Sequence, residues 1–319
     1  MITRRTVLFL GLSQLVCWGI SYYLIGVFGE LIAADLGWSP SLTYGGFSAA
    51  LLVMGLSSPI TGRLIDRYGG RLVMVAGSGF AALGCIGLGL THNPASYYAA
   101  WLCLGLAMRF TLYDAAFAAL ARIGGQLARR PIAQITLLGG LASTTFWPLG
   151  HALAAQLGWR GALFAYAGFA LLTVPLHLAI PNGRHEDLET PMTDERPKPA
   201  EIRRDRVFAA WLYALIAMLA SFLNAGMSAH MIGLLTGLGL AASVSVWIAT
   251  LRGVGQTSAR LCEVLFGSRL HPLNLNLIAA AVLPVCFIIG LLSGQFILAA
   301  IVFAFLYGAG NGILTITRG

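Results

Sequence analysis

Ten long apolar stretches, separated by short polar segments, constrain the fold of this chain more than any other feature of its sequence. A helix that crosses the ~30 Å hydrocarbon core of a bilayer needs about 20 mostly apolar residues, because each residue adds ~1.5 Å. The chain of 319 residues therefore predicts an all-α integral membrane protein with about ten transmembrane helices. The predicted spans cover residues 6–28, 42–61, 72–90, 96–120, 133–156, 161–180, 207–232, 239–258, 274–293 and 295–316.

Composition supports a membrane protein and argues against several other classes. Apolar residues make up 58% of the chain and charged residues only 10%, against about 25% charged in a typical soluble domain. The five cysteines show no paired spacing of the kind that holds zinc or an iron–sulfur cluster, so we predict no metal and no cofactor. The net charge of +8 is spread between apolar stretches, without a nucleic-acid motif. The predicted partners are therefore the lipid bilayer and a small molecule, with no nucleic acid.

The positions of the basic residues predict the orientation in the membrane. If the ten spans alternate in direction, seventeen of the 20 Lys and Arg residues fall on one side. Arg160 alone lies on the opposite side, while Arg109 and Arg252 lie inside spans. Because Lys and Arg are enriched in cytoplasmic loops, the N-terminus is expected in the cytoplasm, and the protein in the plasma (inner) membrane.

A polar segment divides the chain into two unequal parts. Residues 181–206 are rich in charge and proline and too poor in apolar residues to pack by themselves. We predict a cytoplasmic linker here, between an N-terminal half of six helices (residues 1–180) and a C-terminal half of four helices (residues 207–319).

The most specific motif follows the second predicted span, at residues 62–71. Its glycines allow a tight turn, its acidic residue can face a helix N-terminus or pair with arginine, and its arginines anchor the loop at the membrane surface. The motif resembles the loop signature of the major facilitator superfamily, G-x-x-x-D-R-x-G-x-R. A weaker echo, with Glu263 in the acidic position, follows span eight. The residues that carry the resemblance, and for which it implies a conformational role, are Gly62, Asp66, Arg67, Gly69 and Arg71.

The resemblance implies a helical bundle of two pseudo-symmetric halves around a binding site at the membrane midplane. Members of the superfamily usually have twelve spans, so the resemblance also implies a chain truncated after the tenth helix, in which Asp66 lacks its expected partner near helix eleven. Within the superfamily, Gly37-Trp38-Ser39, Gly158-Trp159-Arg160 and an arginine in span eight are similar to the monocarboxylate and oxalate:formate branch.

The resemblance also implies that spans one, four, seven and ten face the central cavity, joined by spans two, five and eight. Polar and aromatic side chains that recur at helical spacing on these spans are candidates for substrate contact. Small polar residues also join membrane helices without touching a substrate, and that alternative applies to each of them. The candidates are Gln14, Trp18 and Tyr22 in span one, Asn224 in span seven and Asn311 in span ten.

Two arginines inside spans are stronger candidates, because an ionised side chain near mid-membrane costs at least ~2.5 kcal/mol. Arg109 shares its span with Asp114, about 140° round the helix, so that a direct ion pair requires the arginine to bend across the surface. The pair is either structural or functional, and Asp114 is also a candidate for proton coupling. Arg252 has no acidic residue in its span. We therefore predict that Arg252 is the principal anion-binding group.

These observations favour a secondary active transporter for a small organic anion, such as a carboxylate, that works by alternating access. Two alternatives stay open: a proton-coupled efflux carrier for a neutral or drug-like solute, and a membrane protein without transport activity. The sequence contains no nucleotide-binding or hydrolase motif, so neither an enzyme nor an ATP-driven pump is predicted. A monomer is the favoured oligomeric state.

Overall fold

The protein is a bundle of α-helices in a computed structural model, which describes residues 2–183, 204–266 and 272–316. Within these residues the chain forms thirteen α-helices and no strand, which confirms the predicted all-α fold. The helices are α1 (Arg4–Cys17), α2 (Leu24–Leu36), α3 (Pro40–Leu56), α4 (Ser58–Tyr68), α5 (Gly70–Gly89), α6 (Pro94–Thr111), α7 (Tyr113–Gly124), α8 (Arg129–Gly140), α9 (Ala142–Leu178), α10 (Arg204–Gly237), α11 (Ala242–Phe266), α12 (Pro272–Gly290) and α13 (Ile297–Ile316).

Several of these helices are long and apolar enough to cross a membrane. Among the described residues there are five such helical runs, or six when the bent pair α3 and α4 counts as one. One run, Pro94–Leu178, holds 85 residues, whereas a single crossing takes about 20. It is interrupted at Leu112, at residues 125–128, at Leu141 and at Gly158, so that it folds back within the bundle. The predicted number of ten spans stays a prediction.

Local sequence signals set several helix ends, since Ser39 before Pro40 and Asn93 before Pro94 both predict a turn just ahead of a helix. The Ser39 hydroxyl caps α3 by accepting a hydrogen bond from the Leu42 amide at 3.3 Å. The Asn93 side chain caps α6 in the same way, at 2.9 Å from the Ser96 amide. Gly158, at φ +70°, turns the chain between the two straight parts of α9, a conformation that favours glycine.

Four of the predicted spans are interrupted: 6–28, 42–61, 96–120 and 133–156. A π-helical turn over Trp18–Tyr22 separates α1 from α2. Leu112 has an extended backbone (ψ −172°) between α6 and α7, so the prediction of one continuous helix over 96–120 was wrong at this point. The break leaves the Thr111 carbonyl without a helical partner, and the Gln14 amide donates to it at 2.7 Å. Breaks of this kind persist in a membrane when another side chain satisfies the freed backbone group.

The loop motif at residues 62–71 differs from its prediction. Gly62 lies inside α4, which continues span two after a bend of 52°, and a Cβ at Gly62 would meet nothing within 4 Å. The turn itself is made at Gly69, where φ is +85°. The prediction of a glycine turn is therefore correct for Gly69 and wrong for Gly62, because the helix continues through the first part of the motif.

The charged residues of the motif divide into two groups. Arg71 anchors the loop, since its Nε donates to the Ile180 carbonyl at 2.5 Å. Asp66 and Arg67 lie on the exposed side of α4. Asp66 therefore forms no ion pair with a described residue. Arg71, in the second half of the motif, is hydrogen-bonded to the end of α9.

Helices that precede residue 183 and helices that follow residue 204 pack directly against each other. α2 meets α10 so closely that a Cβ at Gly26 would lie 2.5 Å from the Ser228 carbonyl oxygen. α11 meets α8 and α9, where a Cβ at Gly253 would lie 2.9 Å from the Gly140 carbonyl oxygen. Residues 184–203, most of the predicted linker, lie outside the described residues. The two helix groups therefore enclose a common interior.

Candidate functional site

A cavity of about 40 Å³, lined by several polar side chains, lies in this common interior. Its volume is enough for a few water molecules, since one molecule needs ~10–15 Å³ of such space. Helices from both sides of residues 184–203 contribute to its wall. The lining residues are Trp18, Tyr23, Tyr113, Gly139, Asn224, Gln256, Arg260, Asn311 and Thr315.

Arg252 lies next to this cavity and is fully buried, at 0% exposure. Its Cζ is 5.1 Å, 5.8 Å and 5.4 Å from the ring centroids of Tyr23, Trp147 and Tyr307. Aromatic faces attract a guanidinium at such distances, which offsets part of the cost of burial. Its Nη2 donates to Asn224 Oδ1 at 2.6 Å, whereas Nε and Nη1 have no hydrogen-bond partner in the described part of the chain.

Asn224 is hydrogen-bonded to three other predicted site residues. Its Oδ1 accepts from Arg252 Nη2 at 2.6 Å and from Asn311 Nδ2 at 3.0 Å. Its Nδ2 donates to the Tyr22 hydroxyl at 3.2 Å. Predicted candidates from spans one, seven, eight and ten therefore form one hydrogen-bonded group, although they are distant in sequence.

Arg260 is a second buried arginine, although the predicted end of span eight at residue 258 places it in a cytoplasmic loop. That assignment was wrong, because α11 continues to Phe266 and Arg260 is 1% exposed. Its Nη1 donates to Tyr113 Oη at 3.1 Å and to the Thr136 carbonyl at 2.6 Å, and Nη2 donates to Thr315 Oγ1 at 2.8 Å. These hydrogen bonds allow a charge to stay inside the helix bundle where hydropathy alone predicts the end of a span.

The two buried arginines form no ion pair with a described carboxylate, although Arg260 interacts electrostatically with Glu263, three residues further along α11. The ion pairs between described residues are Arg109 with Asp114 and Arg160 with Asp35. Neither Arg252 nor Arg260 takes part in them. A buried cation without a counterion is costly, so such a site favours an anion.

The first predicted span contributes differently from its predicted stripe. Gln14 is buried away from the cavity lining and donates to the Thr111 carbonyl at the helix break. Trp18 does line the cavity, with its ring centroid 4.9 Å from that of Tyr113. Because the π-helical turn inserts an extra residue per turn, Tyr23 is the tyrosine whose ring lies beside Arg252.

Arg109 and Asp114 form a direct ion pair in the structure. Arg109 Nη1 donates to Asp114 Oδ2 at 2.7 Å, with the two side chains 17% and 56% exposed. The break at Leu112 turns α7 relative to α6 and removes the need for the arginine to bend round a continuous helix. Neither residue lines the cavity.

Tyr23, Tyr113, Gln256 and Arg260 are among the lining residues that the sequence patterns did not identify. One signal for two of them is present in the sequence. Arg252, Gln256 and Arg260 recur at four-residue steps, which places them on one face of α11. The predicted end of span eight at residue 258 concealed that pattern.

Comparisons with known proteins agree with this architecture. The model of the family described as Major Facilitator Superfamily matches residues 10–318. Human Monocarboxylate transporter 6 is 28% identical over 142 residues, which cover 43% of this chain and 26% of that protein. Rat Monocarboxylate transporter 1 is 30% identical over 128 residues, 39% of this chain and 25% of its own length. The match therefore spans about a quarter of either transporter.

Longer matches come from a fungal protein and from solved structures. An "MFS-type transporter" of Gibberella moniliformis is 25% identical over 97% of this chain and 70% of its own length. The crystal structure of a D-xylose-proton symporter superposes with a TM-score of 0.74 at 15% identity, covering 97% of this chain and 80% of the other. The crystal structure of the nucleoside transporter NupG superposes with a TM-score of 0.66 at 15% identity, covering 98% of this chain and 80% of the other. These structures share the fold, and the family match extends over nearly all of the sequence. This multi-pass helical membrane protein belongs to the Major Facilitator Superfamily.

Proposed function

We propose that this protein is a secondary carrier for a small organic anion, most simply a carboxylate, that moves its substrate by alternating access. The observation that carries the proposal is the pair of buried arginines, Arg252 and Arg260, neither of which forms an ion pair with a described carboxylate. An anionic substrate supplies the missing counterion, and its release restores the positive interior.

The chemistry of the site suits a carboxylate. A guanidinium is planar, stays protonated and presents two parallel N–H groups to a carboxylate. Arg260 lines the cavity and its Nε has no partner among the described residues, so we assign it the direct contact. Arg252 lies behind Asn224, and we assign it the second positive charge that attracts and orients the anion.

The names of the relatives support the same class of substrate. Two matched proteins, from human and rat, are named monocarboxylate transporters. Their names describe those proteins, and the match includes about a quarter of each. For the present chain they favour a carboxylate over a sugar or a nucleoside, which are named for structures that are similar in fold at 14–15% identity.

The contacts around Arg260 suggest how binding is linked to movement. Its guanidinium joins Tyr113 and Thr136, before the linker, to Thr315, after it. An anion that binds this guanidinium competes with those hydrogen bonds and so weakens a connection between the halves. We propose residues 1–180 and 207–319 as the moving halves and 181–206 as their cytoplasmic linker. A ligand shifts such an equilibrium by the difference in its affinity for the two states.

The same proposal includes orientation and coupling. The basic residues support an N-terminus in the cytoplasm, a place in the plasma (inner) membrane, and a monomer as the working unit. Asp114 is proposed as the proton-coupling residue, because its protonation would remove the charge that holds Arg109 at 2.7 Å.

The proposal is tested by transport in reconstituted vesicles. The purified chain is screened with labelled mono- and dicarboxylates, neutral solutes and cations, with protein-free vesicles as the control. We expect saturable carboxylate uptake, and thermal stabilisation of the protein by the same carboxylates. Uptake of a neutral or cationic solute that carboxylates do not inhibit would instead support an efflux carrier of the alternative class.

A further inference from the structure

Gln256 lies between the two buried arginines, Arg252 and Arg260, on α11. It lies one helical turn from each of them on α11, lines the cavity and is 5% exposed. Its Oε1 is buried and accepts no hydrogen bond from the described residues. Buried polar atoms in folded proteins nearly always have a partner, so an acceptor left open at a cavity wall indicates a ligand group.

Most other polar groups of the wall are already engaged with one another. The amides of Asn224 and Asn311 bond to each other at 3.0 Å. The hydroxyls of Tyr113 and Thr315 both accept from Arg260. These contacts leave few groups for a bound molecule.

The fully buried groups of the wall that stay open are of two kinds. Arg260 Nε and Trp18 Nε1 are buried donors without a partner among the described residues, and both side chains line the cavity. Gln256 Oε1 is the corresponding open acceptor. A ligand that satisfies all three needs anionic oxygens for the donors and an O–H or N–H of its own for Gln256.

Simple carboxylates meet only part of this requirement. A carboxylate with an apolar chain satisfies the donors and leaves Gln256 Oε1 unpaired. A 2-oxo acid has the same shortcoming, because its carbonyl oxygen is an acceptor and also leaves Gln256 Oε1 unpaired. A 2-hydroxy acid carries a donor on the carbon next to the carboxylate, within reach of a group one helical turn from the arginine.

We propose that Gln256 determines specificity, by accepting a hydrogen bond from a donor next to the substrate carboxylate. The carrier therefore prefers 2-hydroxy acids to 2-oxo acids of the same skeleton. This inference rests on the proposed function and deepens it, because it names the chemical group that the site selects. A neutral hydrogen bond contributes a factor of up to about ten in affinity. We expect a preference of about tenfold.

The test compares three probes with the same carbon skeleton: lactate, pyruvate and propionate. Uptake of each is measured in vesicles that contain the parent chain or Gln256→Met, which keeps side-chain length but removes the acceptor. The parent should take up lactate best, and propionate and pyruvate less well. Gln256→Met should lose most of the lactate preference and keep propionate uptake, which shows that the variant is folded.

Ser245→Ala is the matched control. Ser245 lies on the same helix, and its buried hydroxyl also lacks a partner in the described part of the chain, but it does not line the cavity. Its lactate-to-pyruvate ratio should equal that of the parent.

Each outcome has a defined meaning. Equal uptake of the three probes by the parent overturns the role of Gln256 and leaves the anion carrier intact, as does a ratio unchanged in Gln256→Met. If Gln256→Met does not fold, the ranking of the three probes by the parent decides the question alone. Failure of the parent to bind or transport any of them contradicts this inference and the proposed function together.

Discussion

Asn224 Oδ1 accepts hydrogen bonds from the Arg252 guanidinium at 2.6 Å and from the Asn311 amide at 3.0 Å. A single neutral oxygen thus holds the fork of a fully buried arginine toward the cavity. The guanidinium keeps its charge in this arrangement, because an amide orients a cation without neutralising it. That difference between an amide and a carboxylate provides the first test.

Asn224→Asp should place a fixed carboxylate against Arg252 with almost no change in shape. We expect carboxylate uptake to fall at least about tenfold, because an internal anion then competes with the substrate, while the melting temperature stays level or rises. The measurement is initial uptake in vesicles together with thermal unfolding. A variant that transports as well as the parent would show that Arg252 does not contribute its charge to the site.

Arg252→Lys should keep the positive charge and lose the planar fork. Lysine cannot donate in parallel from a fixed plane, and its ammonium interacts differently with the surrounding Tyr23, Trp147 and Tyr307 rings. We expect a KM raised by about tenfold for Arg252→Lys and nearly complete loss for Arg252→Ala. Unchanged transport by Arg252→Ala, which removes the charge, would reassign Arg252 to the packing of helices.

Arg109→Ala should affect stability more than selectivity. Arg109 is bound to Asp114 at 2.7 Å and lies outside the cavity lining. Removing one partner leaves the other charge uncompensated, so we expect a melting temperature lower by about 2–4 °C. The ratio of uptake between different carboxylates should stay as in the parent. A changed ratio with normal stability would place Arg109 in the substrate pathway.

Gly26→Ala should weaken the contact between α2 and α10. The added Cβ would lie 2.5 Å from the Ser228 carbonyl oxygen, closer than packed atoms approach. We expect a lower melting temperature and slower uptake. Gly79→Ala is the control, since a Cβ there meets nothing within 4 Å and alanine favours the helix. Equal behaviour of the two variants would contradict close packing of the two helix groups at Gly26.

Patterns of the sequence predicted the class of fold and part of the site. The apolar stretches predicted helices, and the caps at Ser39 and Asn93 predicted two of the turns. Helical spacing on spans one, seven and ten identified Tyr22, Asn224 and Asn311, which do meet. These features depend on local periodicity, which a sequence displays directly.

Other features depend on contacts between distant segments and were missed. The hydropathy pattern predicts the end of span eight before Arg260, because it does not include the groups that stabilise this charge. Those groups, Tyr113 and Thr315, belong to other helices. The break at Leu112 is likewise supported from elsewhere, through Gln14. A four-residue step counted along span one could not include the extra residue of the π-helical turn, so Tyr23 was overlooked. Tertiary hydrogen bonds override local rules in each case.

The central claim is that a guanidinium at the cavity, Arg260, binds an organic anion. The most direct measurement is equilibrium binding of a labelled carboxylate from the transport screen to the purified parent, Arg260→Lys and Arg160→Lys. Arg160 is the control, because it donates to the Gly89 and Thr91 carbonyls and does not line the cavity. We predict equal affinity for the parent and Arg160→Lys, and binding at least about tenfold weaker for Arg260→Lys. Binding by Arg260→Lys as tight as by the parent would contradict the account.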